Sequence, residues 1–260
     1  MKTRSRKLWN LIVELTFALV LTVGISGPAL SDEDIAPGPA GSAVPVAQSL
    51  SFTGAATQQI PIVVPPGRKG IGPKLSLTYN SYQKNGWIGV GWSLEMGAIQ
   101  RATRRGVDYD AFDFVASVNG STSELVPRSE WGAHMYGAKI EGAFSRYENP
   151  DPETSGWVVT TKDGTRYFYG TSADSRQYEL LDTDPTDTSR TFKWCLDRVE
   201  DPNGNFMTVS YTKDQGEIYL SRIDYTGNSE TGMGTVHAVT FHLESRNDAP
   251  TRYTSKFPVS

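Results

Sequence analysis

Ile60, Ile62 and Val64 alternate with Pro61 and Val63, and Leu75, Leu77 and Tyr79 alternate with Lys74, Ser76 and Thr78. A period of two predicts a pair of half-buried strands. The segment from Pro65-Pro66-Gly67 through Gly72-Pro73 stops both strands, because proline fixes φ and lacks an N–H while glycine takes positive φ. Pro61 places the first strand at an edge or a bulge. Gly86, Gly89 and Gly91 then surround Trp87 and precede Trp92, which predicts backbone lying close to backbone beside bulky indoles.

Further along, short alternating runs bounded by Gly, Asn, Asp and Pro recur, with no convincing amphipathic helix, so an all-β antiparallel sandwich or layered sheet is expected. Ala98 to Arg105 reads as a strand carrying Arg101, Arg104 and Arg105. Phe114 to Val118 and Glu124 to Val126 flank Asn119-Gly120, and Trp157 to Thr161 and Arg166 to Tyr169 flank Asp163-Gly164. Asn-Gly and Asp-Gly favour tight hairpin turns. Phe192, Trp194 and Leu196 line one face of a later strand, with Lys193, Cys195 and Asp197 on the other. Asp201-Pro202-Asn203-Gly204-Asn205 leads into Met207, Val209 and Tyr211, and Asp214-Gln215-Gly216 turns into Ile218 and Leu220.

The strand pair and the glycine–tryptophan run after it, carrying Pro65, Pro66, Gly67, Tyr79, Gly86, Trp87, Gly89, Gly91 and Trp92, resemble the amino-terminal domain of the SpvB-type virulence proteins and of the Tc insecticidal toxin complex B component. That family is related to the Rhs and YD-repeat proteins. Gly204, Tyr211, Asp214 and Gly216 are similarly spaced to one YD-repeat unit, although an array needs at least three units. The resemblance covers roughly residues 50 to 260 and implies a non-enzymatic part of a hollow β shell. Such a shell encloses a carboxy-terminal toxin and docks onto a partner, either further regions of a longer toxin protein or a separate Tc-type subunit. Tyr225 to Asn228, Val236 to Glu244 and Tyr253 to Ser260 resemble the family's closing strands, beyond which the family continues, so the domain at 50–260 is expected to be truncated at its C-terminal end.

Residues 1–31 read as a secretory signal peptide: Lys2, Arg4, Arg6 and Lys7 precede the largely apolar Leu8 to Val23, and Ala29-Leu30-Ser31 supplies small residues for cleavage. The apolar run is 16 residues long and contains Glu14, too short for a spanning helix. The expectation is therefore secretion, with periplasmic or cell-surface placement also open and no membrane span after cleavage. Residues 32–49 are rich in Pro, Gly, Ala and Ser and read as a flexible linker. Without Lys2, Arg4, Arg6, Lys7 and Glu14, 21 basic and 28 acidic residues remain, a formal charge of −7. That charge argues against a nucleic-acid partner. The sole cysteine, Cys195, rules out an intramolecular disulfide.

Several constellations imitate active sites. Ser121-Thr122-Ser123-Glu124 resembles part of an ADP-ribosyltransferase signature, but no Glu-x-Glu follows anywhere. Nucleophilic hydrolysis needs a base beside serine or cysteine, and only His134, His237 and His242 are available, with no Gly-x-Ser-x-Gly elbow. His237 and His242, five apart on a strand, point to opposite faces. Asp201, Asn203 and Asn205 open like a calcium loop, yet Phe206 and Thr212 occupy the positions of its glycine and its bidentate glutamate. Asp108, Asp110 and Asp113, like Asp182, Asp184 and Asp187, suit calcium or a glycosidase pair and equally suit capped polar loops. The glycines at 86, 89 and 91 lack nucleotide-binding spacing. No catalytic residue, cofactor or metal is assigned. The alternative function is an exported carbohydrate-binding or adhesin-like β module using Trp131, Tyr136 and Tyr147.

Overall fold

The computed structural model describes residues 11–14, 48–49, 54–151, 155–179, 190–214 and 216–244. Its strands are Leu11–Glu14 (β1), Gln48–Ser49 (β2), Ala56–Ile62 (β3), Leu75–Asn80 (β4), Trp92–Ser93 (β5), Ala98–Arg101 (β6), Phe114–Val118 (β7), Ser121–Pro127 (β8) and Met135–Ala138 (β9). After these come Arg146–Glu148 (β10), Trp157–Thr160 (β11), Arg166–Tyr169 (β12), Arg176–Tyr178 (β13), Thr191–Glu200 (β14), Asn205–Asp214 (β15), Glu217–Asn228 (β16) and His237–Leu243 (β17). The proposed closing strand at Tyr253 to Ser260, the second aspartate cluster, and most of the leader and linker lie outside the described residues. Among the described residues, no helix is long and apolar enough to cross a membrane.

The all-β, antiparallel expectation holds, and the large sheet closes on itself. Strands β6 to β12 pair in sequence, β12 pairs with β14, and β14 pairs back onto β6 through Ile99 and Trp194. Strand β14 can do this because its ten residues have room for two partners along each edge. Its first half takes β13 and β6, and its second half takes β12 and β15. The result is an eight-stranded barrel from which β15, β16 and β17 branch as an open sheet, with β1 beside β17. A closed barrel removes sheet edges that would otherwise have to be covered.

Turn chemistry sets the register. Asn119 and Gly120 take φ of 50° and 78°, the two-residue turn that matches the twist of paired strands, and Val118 pairs with Ser121. Gly164, at φ 81°, closes the five-residue connection in which the Thr161 N–H donates to Thr165 O at 3.0 Å.

The barrel is filled rather than hollow. Trp157 and Trp194 are fully buried and cross edge-on, as do Phe114 and Trp157 at 4.9 Å and Phe114 and Tyr136 at 5.9 Å between ring centroids. Edge-to-face contacts of this kind add to the area that the rings bury. Ile99, Val159 and Tyr169 complete the packing.

Strands β2 to β5 form a separate small sheet. Its inward face carries Ile62, Leu75 and Leu77, which join the main core. Strand β2 covers only Ala56 and Thr57, so at Pro61 the first strand is an edge among the described residues, where a missing N–H is tolerated.

Candidate functional site

The proline–glycine segment is the joint between the two sheets. Arg68, Lys69, Gly70 and Ile71 make a two-residue turn, with Lys69 and Gly70 at φ 52° and 84° and the Ile71 N–H donating to Arg68 O at 2.9 Å. Two contacts fasten this segment, and a third fastens the glycine–tryptophan run, to β16 and the connection after it. The Tyr225 hydroxyl donates to Pro65 O at 3.1 Å, the Arg68 guanidinium reaches the Met233 Sδ at 3.0 Å, and Trp87 meets Tyr219 edge-on at 6.3 Å.

Gly67 is the position this joint tolerates least. A Cβ there would lie 1.8 Å from the Ile71 carbonyl oxygen, whereas one at Gly70 meets nothing within 4 Å. Gly67→Ala is therefore expected to open the loop and speed proteolysis within 63–73. Gly70→Ala should lower stability by only about 1–2 kcal/mol, the cost of a left-handed non-glycine residue. Equal protease sensitivity in the two variants would contradict this.

The other signature residues gather behind the joint. Tyr79 pairs with Trp92, their rings 5.3 Å apart, and a Cβ on Gly91 would sit 2.5 Å from the Tyr79 ring. The Gly86 N–H donates to Gly89 O at 3.0 Å. Close approach thus explains Gly91. It does not explain Gly89, where the nearest atom to a Cβ is the Trp92 ring at 3.8 Å, because Gly89 faces the side of that ring and not a backbone. Trp87 and Trp92 are half-buried. Gly204 and Tyr211 stand apart on the branching sheet: Gly204 turns at φ 72°, and the Tyr211 hydroxyl donates to Leu196 O at 2.7 Å.

Two of the candidate acidic groups, at Asp201 and Asp108, make hydrogen bonds within their own turns. The Asp201 carboxylate accepts from the Asn203 N–H at 2.8 Å, the Asn205 N–H at 2.9 Å and the Asn205 side-chain amide at 2.8 Å. These oxygens are committed to the turn and not turned outward as in a calcium loop. Burial pushes this carboxyl up, but the Asn205 and Asn203 hydrogen bonds outweigh it and hold the pKa below its ordinary value. A depressed folded pKa contributes stability that is present above the unfolded pKa and lost as pH falls through the folded one. Unfolding midpoints should therefore drop from about pH 5 downward, and Asp201→Asn should flatten part of that slope. An unchanged slope would remove Asp201 from the account.

Asp108 accepts from the Asp110 N–H at 2.9 Å, a local turn bond. His237 packs its ring against Tyr225 at 5.3 Å while His242 is exposed, and His134 is exposed in a different connection. Cys195 is buried, which pushes its thiol up and away from nucleophilic use. No group of three or more His, Cys, Asp or Glu among the described residues is placed to hold a metal.

The expected aromatic binding platform is not assembled. Tyr136 and Tyr147 are core residues at 5% and 6% exposure, since they lie on the inward face of β9 and β10, opposite each other. Trp131 is exposed, but the guanidinium carbons of Arg128 and Arg146 stand 5.7 and 5.6 Å from its ring centroid. Those cations compete with a sugar for the indole faces.

Alternation alone did not single out Arg101. It is 2% exposed and lies on the inward face of β6, where its guanidinium donates to the carbonyls of Thr191 at 3.0 Å, Asp108 at 3.3 Å and Ala111 at 3.0 Å. It also lies over Tyr109, Phe114 and Trp194. Burial, with Glu179 nearby, pushes the Tyr109 phenol up to about 12, so a neutral ring faces the cation. One end of the barrel is thereby plugged. At the other end the turns at Asn119 and at Thr161 to Asp163 border a shallow open depression, together with Ala143 and Tyr167.

Residues 50–242 match the SpvB family model, described as Salmonella virulence plasmid 65kDa B protein. The chain belongs to the SpvB family. Within that family, the mono(ADP-ribosyl)transferase SpvB of Salmonella choleraesuis (strain SC-B67) is 27% identical over 199 residues, covering 67% of this chain and 32% of the relative. The protein of the same name from Salmonella typhimurium matches over the same shares at the same identity. The chain thus spans about a third of the length of the curated SpvB relatives it matches. Its fold is similar to the N-terminal domain of effector protein SpvB from Salmonella typhimurium strain LT2, with a TM-score of 0.53 at 23% identity, over 65% of this chain and 64% of that one. The crystal structure of TcdB2-TccC3-TEV aligns with a TM-score of 0.59 at 20% identity, over 75% of this chain and 10% of that one. The fold is thus similar both to the SpvB N-terminal domain and to part of TcdB2-TccC3.

Proposed function

We propose that this SpvB-family chain is a non-enzymatic structural domain of a secreted Rhs/Tc-type toxin or virulence protein. In this reading it contributes wall to a β shell that encloses a C-terminal toxin, and it docks to further regions of a longer protein or to a separate Tc-type subunit. Residues 1–31 direct export and 32–49 act as the tether. The observation that carries the reading is the filled barrel. Its interior is occupied by Phe114, Tyr136, Trp157 and Trp194 and plugged by Arg101, so the domain offers surface and not a chamber. A cargo would have to lie outside the barrel, against walls.

The test is the size of the native exported product, detected with an antibody against residues 50–260. A product several times the 28.5 kDa of this chain is the expected result. A stable, active product no larger than 28.5 kDa would overturn enclosure of a cargo.

A further inference from the structure

Three Asn-Gly steps occur in the chain, at Asn85-Gly86, Asn119-Gly120 and Asn203-Gly204, and the fold treats them differently. The Gly86 N–H donates to Gly89 O and the Gly204 N–H to Asp201 O, each at 3.0 Å. Around Asn203 the restraint is double: its own N–H donates to Asp201 Oδ1 and its carbonyl accepts from the Asn228 amide at 2.9 Å. Gly204 is also wedged, because a Cβ there would meet Ser229 Oγ at 2.7 Å. Asn119 and Gly120 are both exposed, neither the Asn119 amide nor the Gly120 N–H makes a hydrogen bond among the described residues, and nothing lies within 4 Å of a Cβ at Gly120.

We propose that Asn119 is a site of self-catalysed backbone modification, converting through a succinimide to aspartate and isoaspartate. The Gly120 nitrogen gives its proton to solvent base and attacks Asn119 Cγ, the new N–C bond forms, the Cγ–Nδ2 bond breaks and ammonia leaves. Water then opens the ring at one of its two carbonyls. Asparagine is among the thermolabile residues for this reason. The step requires the turn to open so that the Gly120 nitrogen swings toward Cγ, and an exposed hairpin tip with open space around Gly120 opens at little cost. At Asn85 and Asn203 the attacking nitrogen is already spent on a carbonyl, and a larger piece of structure must open first.

The product alters the barrel rim. Asn119 borders the depression that also holds Lys162 and Asp163, so aspartate adds a second carboxylate there. Isoaspartate lengthens the main chain by one atom in a turn whose two positive φ values set the β7–β8 register.

The experiment is timed incubation of the intact folded chain at mildly alkaline pH, with peptide mapping of all three steps by mass. Asn119 is expected to convert roughly tenfold or more faster than Asn85 and Asn203, the selectivity expected from local against larger-scale opening. In urea the three should converge. Retention of that difference in urea would show that local sequence and not the fold sets it, and comparable conversion of Asn203 in the folded chain would overturn the proposal. Asn119→Gln should fold normally and give no early acidic species on ion exchange, and persistence of that species would place the reaction elsewhere.

Discussion

Trp194→Ala is expected to cost about 3–5 kcal/mol of folding stability, the range for deleting a large aromatic side chain from a core. The ring is fully buried, crosses Trp157 at 6.1 Å and Phe114 at 5.8 Å, and lies beneath the Arg101 guanidinium. Its neighbours cannot collapse into the space, because Gly170 already fits its backbone against the indole, where a Cβ would come within 2.3 Å of the ring. Trp194 also pairs with Ile99 across the seam that closes the barrel, so the loss falls on the one junction that joins first and last strands. Urea unfolding followed by far-ultraviolet circular dichroism measures it. A loss below about 1 kcal/mol would mean that the site repacks and the barrel is looser than described.

The second large effect is at Arg101. Replacing it with methionine keeps much of the apolar volume and strands the carbonyls of Thr191, Asp108 and Ala111. The Thr191 acceptor is buried and those of Asp108 and Ala111 are part-buried; a buried acceptor left unpaired costs about 1–3 kcal/mol, so a total loss of about 2 kcal/mol or more is expected. The partners are backbone carbonyls and the guanidinium is shielded, so the loss should be nearly the same at low and high salt. A loss that disappears at high salt would show that the residue acts through surface charge instead. Loosening should begin in 102–113, whose carbonyls the guanidinium gathers, and hydrogen exchange there reports it directly.

Much of this architecture is legible in the chain. Ile60 to Tyr79 alternates because one face of a small sheet packs on a core and the other meets solvent. Asn119-Gly120 and Asp163-Gly164 mark hairpins because few residues take the positive φ that those turns need. Where reading fails, the cause is length or distance. Strands β9 and β10 have four and three residues, too few for a period to emerge, so Tyr136 and Tyr147 read as surface tyrosines while they fill the barrel. Arg101 reads only as one of three arginines on a strand with Arg104 and Arg105, because nothing local says that a carbonyl cage waits for it. The pairing of Ile99 with Trp194 leaves no mark in either strand's pattern. The signature glycines divide similarly: Gly67 and Gly91 are explained by clashes with partners that could be named only once the fold was known, and Gly89 is not.

The strand shared by barrel and open sheet also governs the order of assembly. Strand β6 leaves the ribosome early, and its partner at residues 193–195 appears only after every other barrel strand has been made. Closure therefore cannot proceed until residue 195 has been made. It is a long-range pairing of the kind that folds slowly, and until it occurs β6 carries an unpaired edge. A chain with this topology remains threadable until β14 emerges, and it locks in a step that also seats the first residues of the branching sheet.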